Sequence, residues 1–187
     1  MPSISKIELD KLKDNYQNYS FFIETGTYVG ETIFNMEPYF NKLYTIEYSN
    51  DLFNSVKNKY NGNKIDFILG DSSIIFETLL PTINQNTIFF LDGHWSSGNT
   101  GRSAKDCPLI EEITHINNLF QHKAIIIIDD YRLFGLNNLN SNQNEDWSDI
   151  TKDKLLNILE KRIENVYHLD SVYSNDDRLI IHINKKD

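Results

Sequence analysis

The feature that most restricts how this chain can fold is a repeated pattern. A short run rich in β-branched and aromatic residues is followed each time by a stretch of helical length. The runs are SFFIET (20–25), KLYTIEY (42–48), IDFILGD (65–71), TIFFLDG (87–93) and KAIIIIDDY (123–131). Segments near 30–39, 49–60, 72–80 and 108–120 separate them. Strand alternating with helix builds βαβ units, which lay their strands in parallel within one sheet. The run AIIIID is apolar at consecutive positions, so both of its faces need cover, as in a central strand with helices on each side. After a last helical segment, TKDKLLNILEKRIENV, the runs YHLDSVYS and DRLIIHIN meet around NDD and read as an antiparallel hairpin. Ile4, Ile7, Leu9, Leu12 and Tyr16 predict an N-terminal helix over 5–18. The expected fold class is α/β, a single doubly wound sheet, mostly parallel with an antiparallel last strand and helices on both faces.

A length of 187 residues suits one domain, read as an N-terminal helix (1–19) and a core (20–187). Apolar content of 40% with 12% aromatics excludes a disordered chain. No run approaches the ~18–20 apolar residues that span a bilayer, so no membrane partner is expected. The start, MPSISKIELDKLKDNYQNYS, is too polar for a signal peptide. The single cysteine, Cys107, excludes an internal disulfide and a cysteine-built zinc site. A reducing, cytoplasmic setting follows as the expectation, in a cell or a virus-infected host. The net charge of −9 argues against nucleic acid, whose binding rests on Lys and Arg, and suits a divalent cation.

An acid stands at or just past the end of every run: Glu24, Glu47, Asp71, Asp92 and the pair Asp129–Asp130. Singly, each is an ordinary strand end or helix cap. Together they are expected to line one rim, at the carboxyl ends of the strands where open α/β sheets bind ligands. The first turn, Glu24-x-Gly26-Thr27-Tyr28-x-Gly30, leads into a helix that begins near Glu31 and Thr32. Gly26 permits the tight turn and Gly30 the close approach of helix to strand. Glu47, followed by Tyr48, stands where a carboxylate can accept from both hydroxyls of a ribose. Asp71, followed by Ser72, lies one strand further out, within reach of an adenine amino group. A dinucleotide site would need a glycine where Tyr28 stands, and Glu24 would oppose its phosphates. A ligand with an ammonium group removes that conflict, and S-adenosylmethionine carries one beside its adenosine.

ETGTYVGETI, YTIEYSND, ILGDSS and FLDGHW resemble the successive nucleotide-binding motifs of class I S-adenosylmethionine-dependent methyltransferases. The aromatic at the middle of the first turn is similar to that of the macrocin-type sugar O-methyltransferases. The resemblance covers about 20–183 and implies a Rossmann-like, seven-stranded sheet whose last strand is antiparallel. It implies S-adenosylmethionine as cofactor, held by Glu24, Gly26, Thr27, Tyr28, Gly30, Thr32, Glu47, Tyr48, Asp71, Ser72 and Asp92. It also implies a divalent cation such as Mg²⁺ on Asp92, Asp129 and Asp130. Where that subfamily carries an aspartate as general base, this chain has His94, a departure that still supplies a group able to take a proton near neutral pH.

The expected function is therefore metal-assisted methylation of a hydroxyl on a sugar or small glycosylated acceptor. A catalytically silent binding module of the same fold is the alternative. An NAD(P)-dependent sugar oxidoreductase is disfavoured by the missing glycine triplet and the absence of a Y-x-x-x-K pair after the fourth strand. Two long connections, GHWSSGNTGRSAKDC and RLFGLNNLNSNQNEDWSD, are where acceptor specificity is expected. Within them Trp95, like Tyr131, reads as a packing residue, and Arg102 and Lys105 as solvated charges or closures over an acidic acceptor. Cys107 reads as inert, and His115, His122, His168 and His182 show no ligand spacing. Exposed Tyr and Phe residues leave a homodimer open.

Overall fold

A computed structural model describes residues 4–94, 107–137 and 145–186. Seven strands form one sheet: β1 (Phe21–Thr25), β2 (Lys42–Glu47), β3 (Ile65–Leu69), β4 (Thr87–Leu91), β5 (Ala124–Ile128), β6 (Ile163–Leu169) and β7 (Arg178–Ile183). Their order is β3-β2-β1-β4-β5-β7-β6. The first five pair in parallel, while β7 runs antiparallel to both β5 and β6. The order reverses between β2-β1 and β4, so the carboxyl ends of β1 and β4 sit side by side.

Side-chain alternation explains why the strand β5 is apolar throughout. Ile126 and Ile128 join one core with Ile23, Phe89 and Leu91 beneath α4 (Ser72–Leu79), α5 (Leu109–Leu119) and α6 (Lys152–Leu159). Ile125 and Ile127 join the opposite core with Phe22, Ile88 and Phe90 under the N-terminal segment and α2 (Glu31–Met36). Both faces exclude water, and each fully buried isoleucine contributes on the order of 1.5–3 kcal/mol. Among the described residues, no helix is long and apolar enough to cross a membrane.

Two expected helices end early, each for a local reason. The N-terminal helix α1 covers only Lys6–Leu9, and a single 3-10 turn follows at Tyr16–Asn18. Between them Asp14 accepts from the Asn15 amide (2.8 Å) and Asn15 accepts from the Gln17 amide (3.0 Å), bonds that compete with the helical ladder. Leu12, Tyr16 and Tyr19 still pack into the core. The helix expected over 151–166 ends at Leu159, with a 3-10 turn at Glu160–Arg162 and β6 beginning at Ile163. Buried Arg162 enforces that ending, donating to the carbonyls of Ile116 (3.0 Å), His122 (3.0 Å) and Asn184 (3.0 Å). IENVYHL then alternates faces as a strand. The remaining helix, α3 (Asn50–Lys57), follows β2.

Candidate functional site

The turn after β1 is built for close approach. Gly26 has φ +82°, and a Cβ there would meet the Asp92 carbonyl oxygen at 2.3 Å. Gly30, at φ +85°, abuts Val56 of α3, where a Cβ would fall 2.5 Å from Cγ1. Tyr28, between them, also sits in the left-handed region at φ +49°, a strain of about 1–2 kcal/mol for a residue with a side chain. Its amide donates to Glu47 Oε2 (2.9 Å), which holds the strained position. Gly26 donates to the Ile46 carbonyl (2.9 Å), so the whole turn is tied to the end of β2.

Glu24 lies beneath this turn, 1% exposed. Thr45 donates to its Oε2 (2.6 Å), and the Thr27 hydroxyl reaches Thr45 Oγ1 (2.5 Å). Burial pushes the Glu24 carboxyl up to about 8, against the pull of the Thr45 hydrogen bond and with help from the Glu47 charge. Thr32 adds a smaller stabilisation of the ionised form. Without a cation beside it, Glu24 therefore holds its proton at neutral pH.

Glu47 is buried and accepts two backbone amides, Tyr28 on one oxygen and Ser49 on the other (2.8 Å). Burial raises its pKa while those amides oppose the rise. Asp71 caps α4, accepting from the Ser73 amide (2.9 Å) and hydroxyl (2.6 Å) through Oδ1. Around these acids the rim is apolar and open: Tyr48 is 48% exposed, Leu69 42% and Ile74 64%.

The second half of the rim holds Asp92, His94, Asp129 and Asp130, but the expected metal set of Asp92, Asp129 and Asp130 is not one of the groups whose donor atoms come together. Asp92, His94 and Asp130 bring one donor atom each within 4.8 Å of one another, and Asp129, Asp130 and Asp177 form a second such group. His94 Nε2 lies 3.2 Å from Asp130 Oδ2 and its Nδ1 3.5 Å from Asp92 Oδ1. Its ring stands edge-on to Trp147 at 4.9 Å. Burial lowers the His94 pKa against the pull of Asp130, which keeps the imidazole neutral. Burial first, then Asp129 and Asp130, push Asp92 well above the carboxylate range. Asp129 rises to about 6 from burial, although Arg178 Nε donates to its Oδ1 at 3.2 Å. Asp130, at φ +58°, accepts from Arg132 (2.6 Å), whose guanidinium also reaches Asp177.

The donor set fits a hard cation. Both groups are built mainly of carboxylate oxygens. Burial and mutual repulsion disfavour the charged forms of Asp92 and Asp129, and a divalent ion among these acids would relieve that repulsion. Oxygen donors with few nitrogens suit Mg²⁺ or Mn²⁺ over softer metals.

Several residues of this site are not among those the sequence pattern points to. Thr45 bridges Thr27 and Glu24, while Asp177 and Arg178 from the hairpin and Arg132 from the turn after β5 brace the acids. Glu112, on the first turn of α5, is 1% exposed and approached by the Ser72 and Thr25 hydroxyls. Burial pushes it up to about 7. Cys107 is buried and its thiol pushed well up, which matches an inert residue. Tyr131 packs on His168 (4.4 Å) and Phe134 (4.9 Å). Trp95, Arg102 and Lys105 lie outside the described residues.

Neither a protein-family model nor a curated protein sequence matches the chain. Solved structures do. The O-methyltransferase TomG from Streptomyces achromogenes, involved in tomaymycin synthesis and solved in complex with S-adenosylmethionine, superposes with TM-score 0.63 at 14% identity, over 91% of this chain and 75% of that one. The N-methyltransferase NodS from Bradyrhizobium japonicum WM9 superposes with TM-score 0.57 at 9% identity, over 97% of this chain and 94% of that one. At such identities the likeness speaks for architecture alone. The chain has the Rossmann-like fold of the class I S-adenosylmethionine-dependent methyltransferases.

Proposed function

We propose that this chain is an S-adenosylmethionine-dependent O-methyltransferase that uses a divalent cation to methylate a hydroxyl of a sugar or small glycosylated acceptor. One observation carries the reading: Glu24, Glu47 and Asp92, far apart in sequence, converge around a turn so tight that Gly26 touches the Asp92 backbone. The methionine ammonium meets Glu24 from beneath the turn, directly or through water. Glu47 accepts from the ribose hydroxyls with the lone pairs its two amide donors leave free. Asp71 and Ser72 flank the adenine, whose face rests on the exposed Tyr48, Leu69 and Ile74 side chains. TomG, an O-methyltransferase bound to S-adenosylmethionine, supports the same cofactor for the same architecture.

Transfer breaks the methyl–sulfonium bond, forms the methyl–oxygen bond and releases the acceptor's hydroxyl proton. The sulfur leaves neutral, so the protein's task is to hold the acceptor in line and to remove that proton. A cation on Asp92, Asp129 and Asp130 supplies a lowered hydroxyl pKa when bound. His94, kept neutral by burial, receives the proton.

Calorimetric titration with S-adenosylhomocysteine tests the cofactor half, and Mn²⁺ titration tests the cation half. His94→Gln is expected to abolish turnover while leaving Mn²⁺ affinity unchanged. Loss of Mn²⁺ affinity in that variant makes His94 a ligand instead of a base.

A further inference from the structure

Behind the acids, between the ends of β4 and β5 and the start of α5, lies a cavity of about 10 Å³. Its polar lining comes from Asp92, His94, Cys107, Glu112 and Asp129, and its apolar lining includes Leu91 and Ile128. Three carboxyl oxygens on those residues, Asp92 Oδ1, Glu112 Oε1 and Asp129 Oδ2, are buried without a hydrogen-bond partner among the described residues. We propose that this cavity binds a single water molecule and that Glu112, acting through it, is a positioning residue for Asp92.

Size and chemistry select the ligand. One water needs roughly 10–15 Å³ of such space and two to four polar partners, and an apolar cavity of this size would stay dry. Three unpartnered carboxyl oxygens on the lining residues supply acceptors for both hydrogens of the water. Its own oxygen then needs a donor. The Glu112 carboxyl, raised by burial to about 7, carries a proton for part of the neutral range, and the buried Cys107 thiol is a weak second donor. A divalent ion is a poor occupant, because it takes about six oxygen ligands and much of this lining is hydrocarbon.

Glu112 also sits where a positioning role has leverage. It is approached by Thr25 at the end of β1 and Ser72 at the start of α4. A Cβ on Gly93, the residue after Asp92, would lie 3.4 Å from its Oε1. One side chain thus underlies three rim connections, those after β1, β3 and β4. The groups facing it are Thr25, Ser72 and Gly93, with the charges of Asp71 and Glu111 nearby.

Crystals grown without divalent ions and crystals soaked in Mn²⁺ test the cavity, independently of any methyltransferase reading. The expected result is one water peak within hydrogen-bond distance of Glu112 and Asp92 in both, with no anomalous signal inside the cavity. A dry cavity, or manganese within it, overturns the proposal. The positioning role rests on the proposed cofactor and is read by S-adenosylhomocysteine affinity. Glu112→Gln, which keeps the polar atoms, should bind within about twofold of the parent and retain the water. Glu112→Leu should bind about fivefold more weakly, the worth of one ordinary hydrogen bond. Parental affinity in Glu112→Leu, or equal loss in both variants, refutes the positioning role. Should the leucine variant not fold, Glu112→Met takes its place in the same comparison. Failure of the parent itself to bind S-adenosylhomocysteine removes the proposed function and leaves the crystallographic result standing.

Discussion

Gly26→Ala probes the contact on which the rim depends. Two penalties follow from the geometry. An alanine at φ +82° costs about 1–2 kcal/mol in the left-handed region. Its Cβ would also lie 2.3 Å from the Asp92 carbonyl oxygen and 3.1 Å from the Gly93 Cα, both backbone atoms at the end of β4. Relieving that overlap forces β1 and β4 apart at their ends, an overpacking cost of about 1–3 kcal/mol. Gly135→Ala is the internal control, since Gly135 has a similar φ of +75° and nothing lies within 4 Å of where an added Cβ would sit. It should lose only the conformational part. For a chain of this size each kcal/mol moves the melting temperature by about 2–4 °C. Thermal unfolding should therefore fall by roughly 4–20 °C for Gly26→Ala and roughly 2–8 °C for Gly135→Ala. Equal losses in the two variants would refute the claim that the β1 turn rests on the Asp92 backbone.

Three further outcomes are expected. The folded-state pKa of Glu24, about 8, lies above its unfolded value, so its contribution to stability is complete below the usual glutamate range and is lost as pH rises toward about 8. Glu24→Gln should flatten that decline, and urea unfolding at pH values across the window will show whether the two curves diverge. Burial raises Asp129 to about 6, above its unfolded value, so its contribution to stability is complete at low pH and is lost as pH rises through about 6; Asp129→Asn should flatten that decline, whereas exposed Asp149→Asn should change stability by less than about 0.5 kcal/mol in the same urea assay. Adding EDTA should abolish methyl transfer from radiolabelled S-adenosylmethionine while leaving cofactor affinity nearly unchanged. Full turnover in EDTA contradicts the cation's role.

The rim acids were legible because strand ends are set by the sheet itself. Once the run Ile125–Ile128 requires cover on both faces, Asp129 must emerge at its end, and the same argument delivers Glu24, Glu47 and Asp92. Asp71 lay where expected, yet its Oδ1 is engaged as a helix cap, the ordinary work of an aspartate at that position. Glu112 was hidden beside Glu111 in LIEEITHINNL, where two adjacent acids look like a solvated face. Its phase gives it away: Leu109, Glu112, Ile113 and Ile116 form the buried stripe of α5, so an acid replaces an apolar residue within that stripe. Thr45 and Arg178 were not legible, since their partners Glu24 and Asp129 come from other strands and only register brings them together. The early end of the helix before β6 depended on Arg162 turning inward to reach four separate carbonyls, a tertiary choice that no local propensity encodes.

Calorimetric titration of the parent and of Glu47→Ala with S-adenosylhomocysteine is the most direct trial of the cofactor claim. The parent should bind one equivalent in the micromolar range common for enzyme ligands, and the variant, having lost the carboxylate for the ribose, at least about tenfold more weakly. No heat of binding to the parent at millimolar ligand, or identical affinity in the variant, would contradict it.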